Sequence, residues 1–248
     1  MRVVLSVRSG QRGECPVVRF PLSLGLTVGT MATANVLSHR VLPHFSGLPD
    51  ADAVVGLGLV GGLTVVARAS ELSVEDLGLA RRSWTSGLRW GGVAAALVAT
   101  GYAIAAVIPG VAGAVDADVT SWPDALFKAL VVIPLTTVIP EEFAFRGVLW
   151  GLLRRQSGRR IATVVSSALF GLWHVFPALG GGAANDSVAG VVGDGALGVL
   201  LRVLGTVLFT GLAGVLFCEL RARSGSLLAP ILLHWAVNGF GELFVLVA

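Results

Sequence analysis

Long apolar stretches alternate with short polar connections along the whole chain. Seven stretches are long enough to cross a bilayer as helices, because a spanning helix needs about 20 apolar residues. They cover approximately residues 17–37, 51–69, 90–110, 124–153, 161–179, 195–218 and 226–247. An eighth helix results if the last stretch breaks at Gly239 or Gly241. The pattern predicts an all-α, polytopic transmembrane helix bundle that forms one domain over residues 1–248.

The composition supports this prediction. The chain is 54% hydrophobic and only 13% charged, whereas soluble domains carry about 25% charged residues. The net charge of +3 is small and gives no reason to expect a nucleic-acid partner. The two cysteines, Cys15 and Cys218, lack the CxxC spacing of a metal or redox site, so we interpret them as apolar packing residues.

The basic residues lie on one side of the predicted bundle. Fourteen of the 18 fall in the N-terminus and in alternate connections, whereas the opposite connections hold Arg40 and several acidic residues. The fourteen are Arg2, Arg8, Arg12, Arg19, Arg68, Arg81, Arg82, Arg89, Arg154, Arg155, Arg159, Arg160, Arg221 and Arg223. The acidic residues are Asp50, Asp52, Asp116, Asp118, Asp124, Asp186 and Asp194. By the positive-inside rule, the N-terminus is cytoplasmic and the C-terminus lies outside. Lysine is nearly absent, which is typical of a GC-rich genome, so we expect a bacterial plasma membrane.

Ionisable residues interrupt three of the apolar stretches. Such groups are unfavourable at membrane depth and usually face a protein interior or a wet cavity. The stretch LTTVIPEEFAFRGVLWGLL carries two acids and an arginine, ALFGLWHVF carries one histidine, and APILLHWAVNGF carries a histidine and an amide. These residues are Glu141, Glu142, Arg146, His174, His234 and Asn238.

Helix geometry predicts how these residues meet. Glu142 and Arg146 are four residues apart, so they share a helix face and form an internal ion pair, while Glu141 points elsewhere. Counted from the cytoplasmic helix ends, Glu141 lies about 18 Å deep, His174 about 20 Å, and His234 and Asn238 about 12 and 18 Å. Three helices therefore contribute polar groups to one layer of the membrane.

A proline precedes the two acids. Pro140 cannot donate a hydrogen bond to the preceding turn, so a kink or break is expected there. Glu141 and Glu142 then lie in a first helical turn, where the helix dipole stabilises carboxylates.

The predicted constellation fits hydrolysis of a peptide bond. A carboxylate and an imidazole, Glu141 and His174, activate water, and a second imidazole and an amide, His234 and Asn238, stabilise an oxyanion. The set Glu141, His174 and His234 also fits a divalent metal, with zinc as the best match. No HExxH motif is present, and the sequence leaves metal-dependent and metal-free chemistry open.

Three motifs in this order resemble a known family. EEFAFR matches EExxxR, FGLWH matches FxxxH, and HWAVN matches HxxxN, each on a separate apolar stretch. They resemble the CPBP intramembrane proteases, the CAAX-protease and bacteriocin-processing group once called Abi, over residues 70–240. The resemblance implies a membrane endopeptidase related to type II CAAX prenyl proteases, of metalloprotease or metal-free glutamate type.

The family pattern also implies residue roles. Glu141 and His174 correspond to its water-activating pair, and His234 and Asn238 to its oxyanion or ligand support. Glu142 and Arg146 correspond to a structural pair. The implied partners are a membrane-associated peptide or protein substrate and the lipid bilayer.

Two other functions remain open at this point. Buried glutamate and histidine also relay protons or bind ions in transporters, although the two halves of the chain show no internal repeat. A catalytically silent scaffold or immunity protein is the third reading. Trp150, Trp173 and Trp235 flank the motifs, and we interpret them mainly as packing residues.

Overall fold

All regular elements in the described part of the chain are helices. The computed structural model describes residues 16–44, 51–108, 121–180, 190–193 and 195–246. The helices are α1 Pro16–Val36, α2 Ala51–Ala69, α3 Trp84–Ala106, α4 Trp122–Phe127, α5 Ile139–Glu142, α6 Trp150–Trp173, α7 Val175–Leu179, α8 Ala196–Ser224 and α9 Leu228–Phe244. The all-α prediction is therefore confirmed for these residues. Outside the described ranges lie Arg2, Arg8, Arg12, Cys15, Asp50, Asp116, Asp118, Asp186 and Asp194.

Five helical segments are long and apolar enough to span a membrane. They are Phe20–His44, Ala51–Ala69, Arg81–Ala106, Trp122–Leu179 and Ala196–Ser224. The fourth has 58 residues and contains two of the predicted spans, separated by Gly158 with a non-helical backbone (φ 80°, ψ 172°). The last predicted span corresponds to α9, which has 17 residues. These helices support a multi-pass membrane protein, and the count of seven spans stays a prediction.

The helix does not break at Pro140, where the sequence predicted a kink or a break. The backbone stays helical from Val138 to Phe143, and wide turns, Pro134–Val138 and Phe143–Leu149, flank the proline. In the first of these turns the Ile139 N–H donates to the Pro134 carbonyl, five residues back. Widening the turn changes the hydrogen-bond register, so the helix accommodates the proline without ending. Glu141 and Glu142 consequently lie inside a continuous helix, and the expected dipole effect of a helix N-terminus does not apply.

A second helix ends where the sequence predicted continuity. The predicted span 161–179 stops at Trp173, and His174 takes a non-helical backbone conformation before α7 begins. Pro177 lies four residues after Trp173 and has no N–H to donate to its carbonyl. The Asn35 side chain takes that place, because its Nδ2 donates to the Trp173 carbonyl at 2.8 Å. A residue of α1 therefore stabilises the helix end next to His174.

Small residues allow the helices to approach closely. Gly87 and Gly91 of α3 face α9, and a Cβ at Gly91 would lie 2.9 Å from the Leu232 side chain. Tyr102 extends the same contact, because its hydroxyl donates to the Val237 carbonyl at 3.0 Å. This packing fits the small-residue helix contacts typical of membrane bundles, and it holds α9 in place beside the acids.

One connection is pinned beneath the bundle. Arg221 of α8 is 1% exposed, stacks on the Trp150 ring, and donates to the carbonyls of Glu75 at 3.1 Å and Asp76 at 2.8 Å. The Leu227 N–H donates to the Gly78 carbonyl at 2.8 Å. The connection between α2 and α3 is therefore held against the ends of α6, α8 and α9.

We expect Arg221→Leu to lower the melting temperature of the detergent-solubilised protein by about 5–10 °C, because it removes two charge-assisted hydrogen bonds to backbone carbonyls. Arg223→Leu is the matched control on the same helix, since Arg223 is exposed and pairs with Glu219. Exposed pairs contribute about 0–1 kcal/mol, so this variant melts close to the wild type. Equal shifts for both variants would contradict the pinning role.

Candidate active site

The Glu142 carboxylate joins residues from two helical segments. Its Oε1 accepts hydrogen bonds from Arg146 Nη1 at 3.1 Å and from His234 Nδ1 at 2.8 Å. Glu142 and Arg146 are fully buried, and His234 is 5% exposed. The ion pair expected from the spacing of Glu142 and Arg146 is thus present, and the acid also holds the imidazole of α9.

Aromatic rings enclose the Arg146 guanidinium. Its Cζ lies 4.0 Å from the Phe170 ring centroid and 4.7 Å from that of Phe217. Gly214 leaves room for the group, because a Cβ there would lie 3.2 Å from Nη2. A cation over aromatic faces is stabilised electrostatically, so the two rings stabilise the guanidinium beside Glu142.

His234 is fixed in orientation and in tautomer. A carboxylate oxygen only accepts hydrogen bonds, so Nδ1 carries the proton that is donated to Glu142. In the neutral ring, Nε2 then bears a lone pair. The ring is also stacked on Phe217, with centroids 5.2 Å apart and planes 22° apart. The free Nε2 lies 4.0 Å from Glu141 Oε2.

Glu141 has one satisfied and one unsatisfied oxygen. Its Oε1 accepts a hydrogen bond from Trp173 Nε1 at 3.0 Å. Its Oε2 is buried without a hydrogen-bond partner among the described residues, and when the His234 ring is neutral it faces the lone pair of Nε2. Because two acceptors face each other across this gap, a donor between them is needed for both to be satisfied.

A cavity of about 350 Å³ reaches Glu141. Its inner part is lined by Pro140, Glu141, Trp173 and His174. His174 Nδ1 is held by the Phe170 carbonyl at 2.8 Å, so its Nε2 is the nitrogen left for a ligand in the cavity. The acid of the first motif and the histidine of the second therefore share one space.

The predicted site residues do not all converge. Glu141, Glu142, Arg146 and His234 form one connected cluster, and His174 joins it through the cavity. Asn238 is partly buried, and the described contacts include no hydrogen bond from its side chain to Glu141, Glu142 or His234. The catalytic roles of all these residues remain predictions.

The proposed metal ligands do not form a three-residue ligand group. Among the described residues, no cluster of three His, Cys, Asp or Glu side chains is arranged to hold a metal ion. His234 and Glu141 face each other, and His174 lines the same cavity as Glu141. The zinc set Glu141, His174 and His234 stays a prediction.

Sequence reasoning missed two residues that position the site. Trp173 donates to Glu141, and Asn35 fixes the carbonyl of Trp173. Trp173 directly precedes the motif histidine, and this position in the sequence was the signal that could have identified it. Asn35 is a lone amide near the end of the first apolar stretch, and nothing in its local sequence relates it to a motif 138 residues away.

The comparisons with known proteins agree with the motif resemblance. The family model described as type II CAAX prenyl endopeptidase Rce1-like matches residues 123–240. This range includes all six predicted site residues. The match does not test the expected extension of the family core back to residue 70. No curated protein and no solved structure gives a significant match.

We expect Arg146→Met to destabilise the protein by about 3–5 kcal/mol, because it leaves the Glu142 charge buried with only His234 as its partner. Adding Glu142→Gln removes that charge and retains an acceptor for His234 Nδ1. The double variant should recover more than half of the lost stability in thermal or denaturant unfolding. If the two substitutions are additive, the buried charges are not coupled and the described pairing is wrong.

Proposed function

We propose that this chain is an intramembrane endopeptidase that hydrolyses a peptide bond in a membrane-associated substrate. The match of residues 123–240 to the type II CAAX prenyl endopeptidase, Rce1-like family model supports this proposal. The observation that carries the proposal is the unsatisfied Oε2 of Glu141, which lies 4.0 Å from the bare Nε2 of His234. Two buried acceptors at this separation form a binding site for a water molecule.

Simple geometry supports the water site. If a water oxygen lies about 2.8 Å from each acceptor, the angle between the two acceptors at that oxygen is about 90°. This value is close to the angle between the two O–H bonds of water, so one molecule donates to both groups. Its lone pairs then point away from the acceptors, which is the orientation a nucleophile needs. Glu141 acts as the general base for this water.

The proposed reaction proceeds through a tetrahedral intermediate. The water oxygen bonds to the carbonyl carbon, and one water proton moves to Glu141 Oε2. The intermediate collapses when the C–N bond breaks and the proton on Glu141 passes to the leaving nitrogen. The products are a carboxylic acid and an amine, and Glu141 returns to its carboxylate form.

The two histidines have different tasks in this proposal. His234 orients the water through Nε2, while Glu142 and Arg146 hold its ring. His174 uses its free Nε2 in the cavity, where it interacts with the substrate carbonyl oxygen when protonated. Asn238 supports the same oxyanion only if substrate binding draws it toward the cavity. The mechanism needs no metal, and metal analysis of the active preparation tests that choice.

The membrane arrangement belongs to the same proposal. We retain seven spans with a cytoplasmic N-terminus in a bacterial plasma membrane, because the basic residues of the described connections gather at one end. Residues 1–248 then form a single membrane domain.

We predict that Glu141→Gln abolishes peptide cleavage, with a loss of about 10²–10⁴-fold in kcat. The purified protein is reconstituted in lipid and supplied with a membrane-peptide library, and products are measured by mass spectrometry. His174→Ala and His234→Ala should also lose activity. Glu75→Gln makes the same chemical change at an acid exposed near Arg82, and it should retain wild-type turnover.

The same preparation separates the competing functions. Proton-coupled uptake that disappears in Glu141→Gln, without cleavage in the wild type, would indicate a transporter. Equal peptide binding by wild type and variants, without turnover in any, would indicate a scaffold. Either result rejects the endopeptidase proposal.

We also predict that Trp173→Phe lowers kcat by about 10–100-fold, because Glu141 loses a hydrogen bond to its charged form. The KM should change little, since the ring and its packing remain. Trp235→Phe is the matched control, because it removes an indole donor to the Ala129 carbonyl at 2.8 Å without touching the acids. If both variants lose activity equally, Trp173 has no specific positioning role.

A further inference from the structure

The two ends of the bundle differ in charge. One end carries ten of the basic residues in the described ranges, namely Arg68, Arg81, Arg82, Arg89, Arg154, Arg155, Arg159, Arg160, Arg221 and Arg223. Contacts link the segments that carry them, since Arg155 donates to the carbonyls of Ser70 and Glu71 and Arg159 pairs with Glu219. By the positive-inside rule, this arginine-rich end faces the cytoplasm.

Backbone and side chains lie between the arginine-rich end and the acids Glu141 and Glu142. Arg221 holds the connection between α2 and α3 across the ends of the helices. The backbone of this connection lies against α6, because a Cβ at Gly151 would be 3.0 Å from the Asp76 carbonyl oxygen. Trp150 and Leu149, between this connection and the acids, are 1% and 0% exposed. These contacts and buried side chains occupy the space between the arginine-rich end and Glu141.

The cavity lies toward the opposite end. Ser38 and His39, which follow α1, and Asp52, which begins α2, line its outer part. These residues precede and follow the connection that is opposite to the one pinned by Arg221. Thr136 and Thr137 continue the polar lining inward toward Glu141. A cavity of mixed polar and apolar lining thus extends from Glu141 toward the end of the bundle that carries few basic residues.

We infer that the active-site cavity is entered from the extracytoplasmic side, and that the substrate is a membrane-anchored peptide whose scissile bond lies on that side. The assignment of a substrate rests on the proposed function. The direction of access does not, because it follows from the closed arginine-rich end, the polar outer lining and the charge asymmetry.

Thiol labelling measures the direction of access without requiring activity. Ser38→Cys and, independently, Asp52→Cys are introduced in a Cys15→Ser, Cys218→Ala background, so that each protein has one thiol. Gln156→Cys, exposed at the arginine-rich end, is the matched control. A membrane-impermeant maleimide is added to intact cells and, separately, to inverted membrane vesicles.

We expect both cavity cysteines to be labelled in intact cells at least ten-fold faster than in inverted vesicles. The Gln156→Cys protein should show the opposite preference. Labelling of both cavity cysteines only in inverted vesicles, or in neither preparation, overturns the inference. Two cavity positions are used so that one poorly folded variant does not decide the result.

A cleavage assay then distinguishes this inference from the proposed function. A peptide with an apolar anchor is supplied to right-side-out or inverted vesicles that contain the wild-type protein. Cleavage only in right-side-out vesicles supports the inferred substrate, and cleavage only in inverted vesicles overturns it. Absence of cleavage in both, together with outside labelling of Ser38→Cys, rejects the endopeptidase while the direction of access stands.

Discussion

The buried carboxylate of Glu142 is the interaction on which the rest of the site depends. A charge inside an apolar bundle is tolerated only when it is paired and hydrogen-bonded. Glu142 meets this condition through Arg146 on its own helix and His234 on α9. The two neighbouring acids therefore have different surroundings. Glu142 is hydrogen-bonded to the arginine and the histidine, whereas Oε2 of Glu141 has no hydrogen-bond partner among the described residues and lies 4.0 Å from His234 Nε2.

The two ends of the bundle differ in packing. At the arginine-rich end, Arg221 binds backbone carbonyls and closes the space below Trp150. Toward the other end, the wide turns around Pro140 bring Glu141 to a cavity that begins near Asp52. Gly56 allows α2 to lie close to that proline, since a Cβ would be 3.1 Å from its ring. The pinned connection at one end and the cavity toward the other leave the Glu142–Arg146 pair fully buried.

Sequence reasoning predicted the features that depend on local spacing. The helical class followed from apolar runs, and the contact of Glu142 with Arg146 followed from their four-residue separation. Counting residues from the predicted helix ends also placed His234 in the same membrane layer as the acids. It did not predict the wide turns at Pro140, because a proline is accommodated either by a break or by a changed hydrogen-bond register, and tertiary packing selects between them. The role of Asn35 depends on a contact between distant segments, which no local pattern encodes.

That distant contact explains why two prolines near the motifs have different effects. Pro140 lies between wide turns, and the helix continues through it. Pro177 instead leaves the Trp173 carbonyl without its helical donor, and the helix ends there. Asn35 satisfies this carbonyl from α1, so the helix end is held in one conformation rather than left to fray. The fixed helix end directs the Trp173 indole to Glu141 and leaves His174 beside the cavity. Pro177 removes a backbone donor and the Asn35 amide replaces it. This replacement positions the side chains of Trp173 and His174 around Glu141.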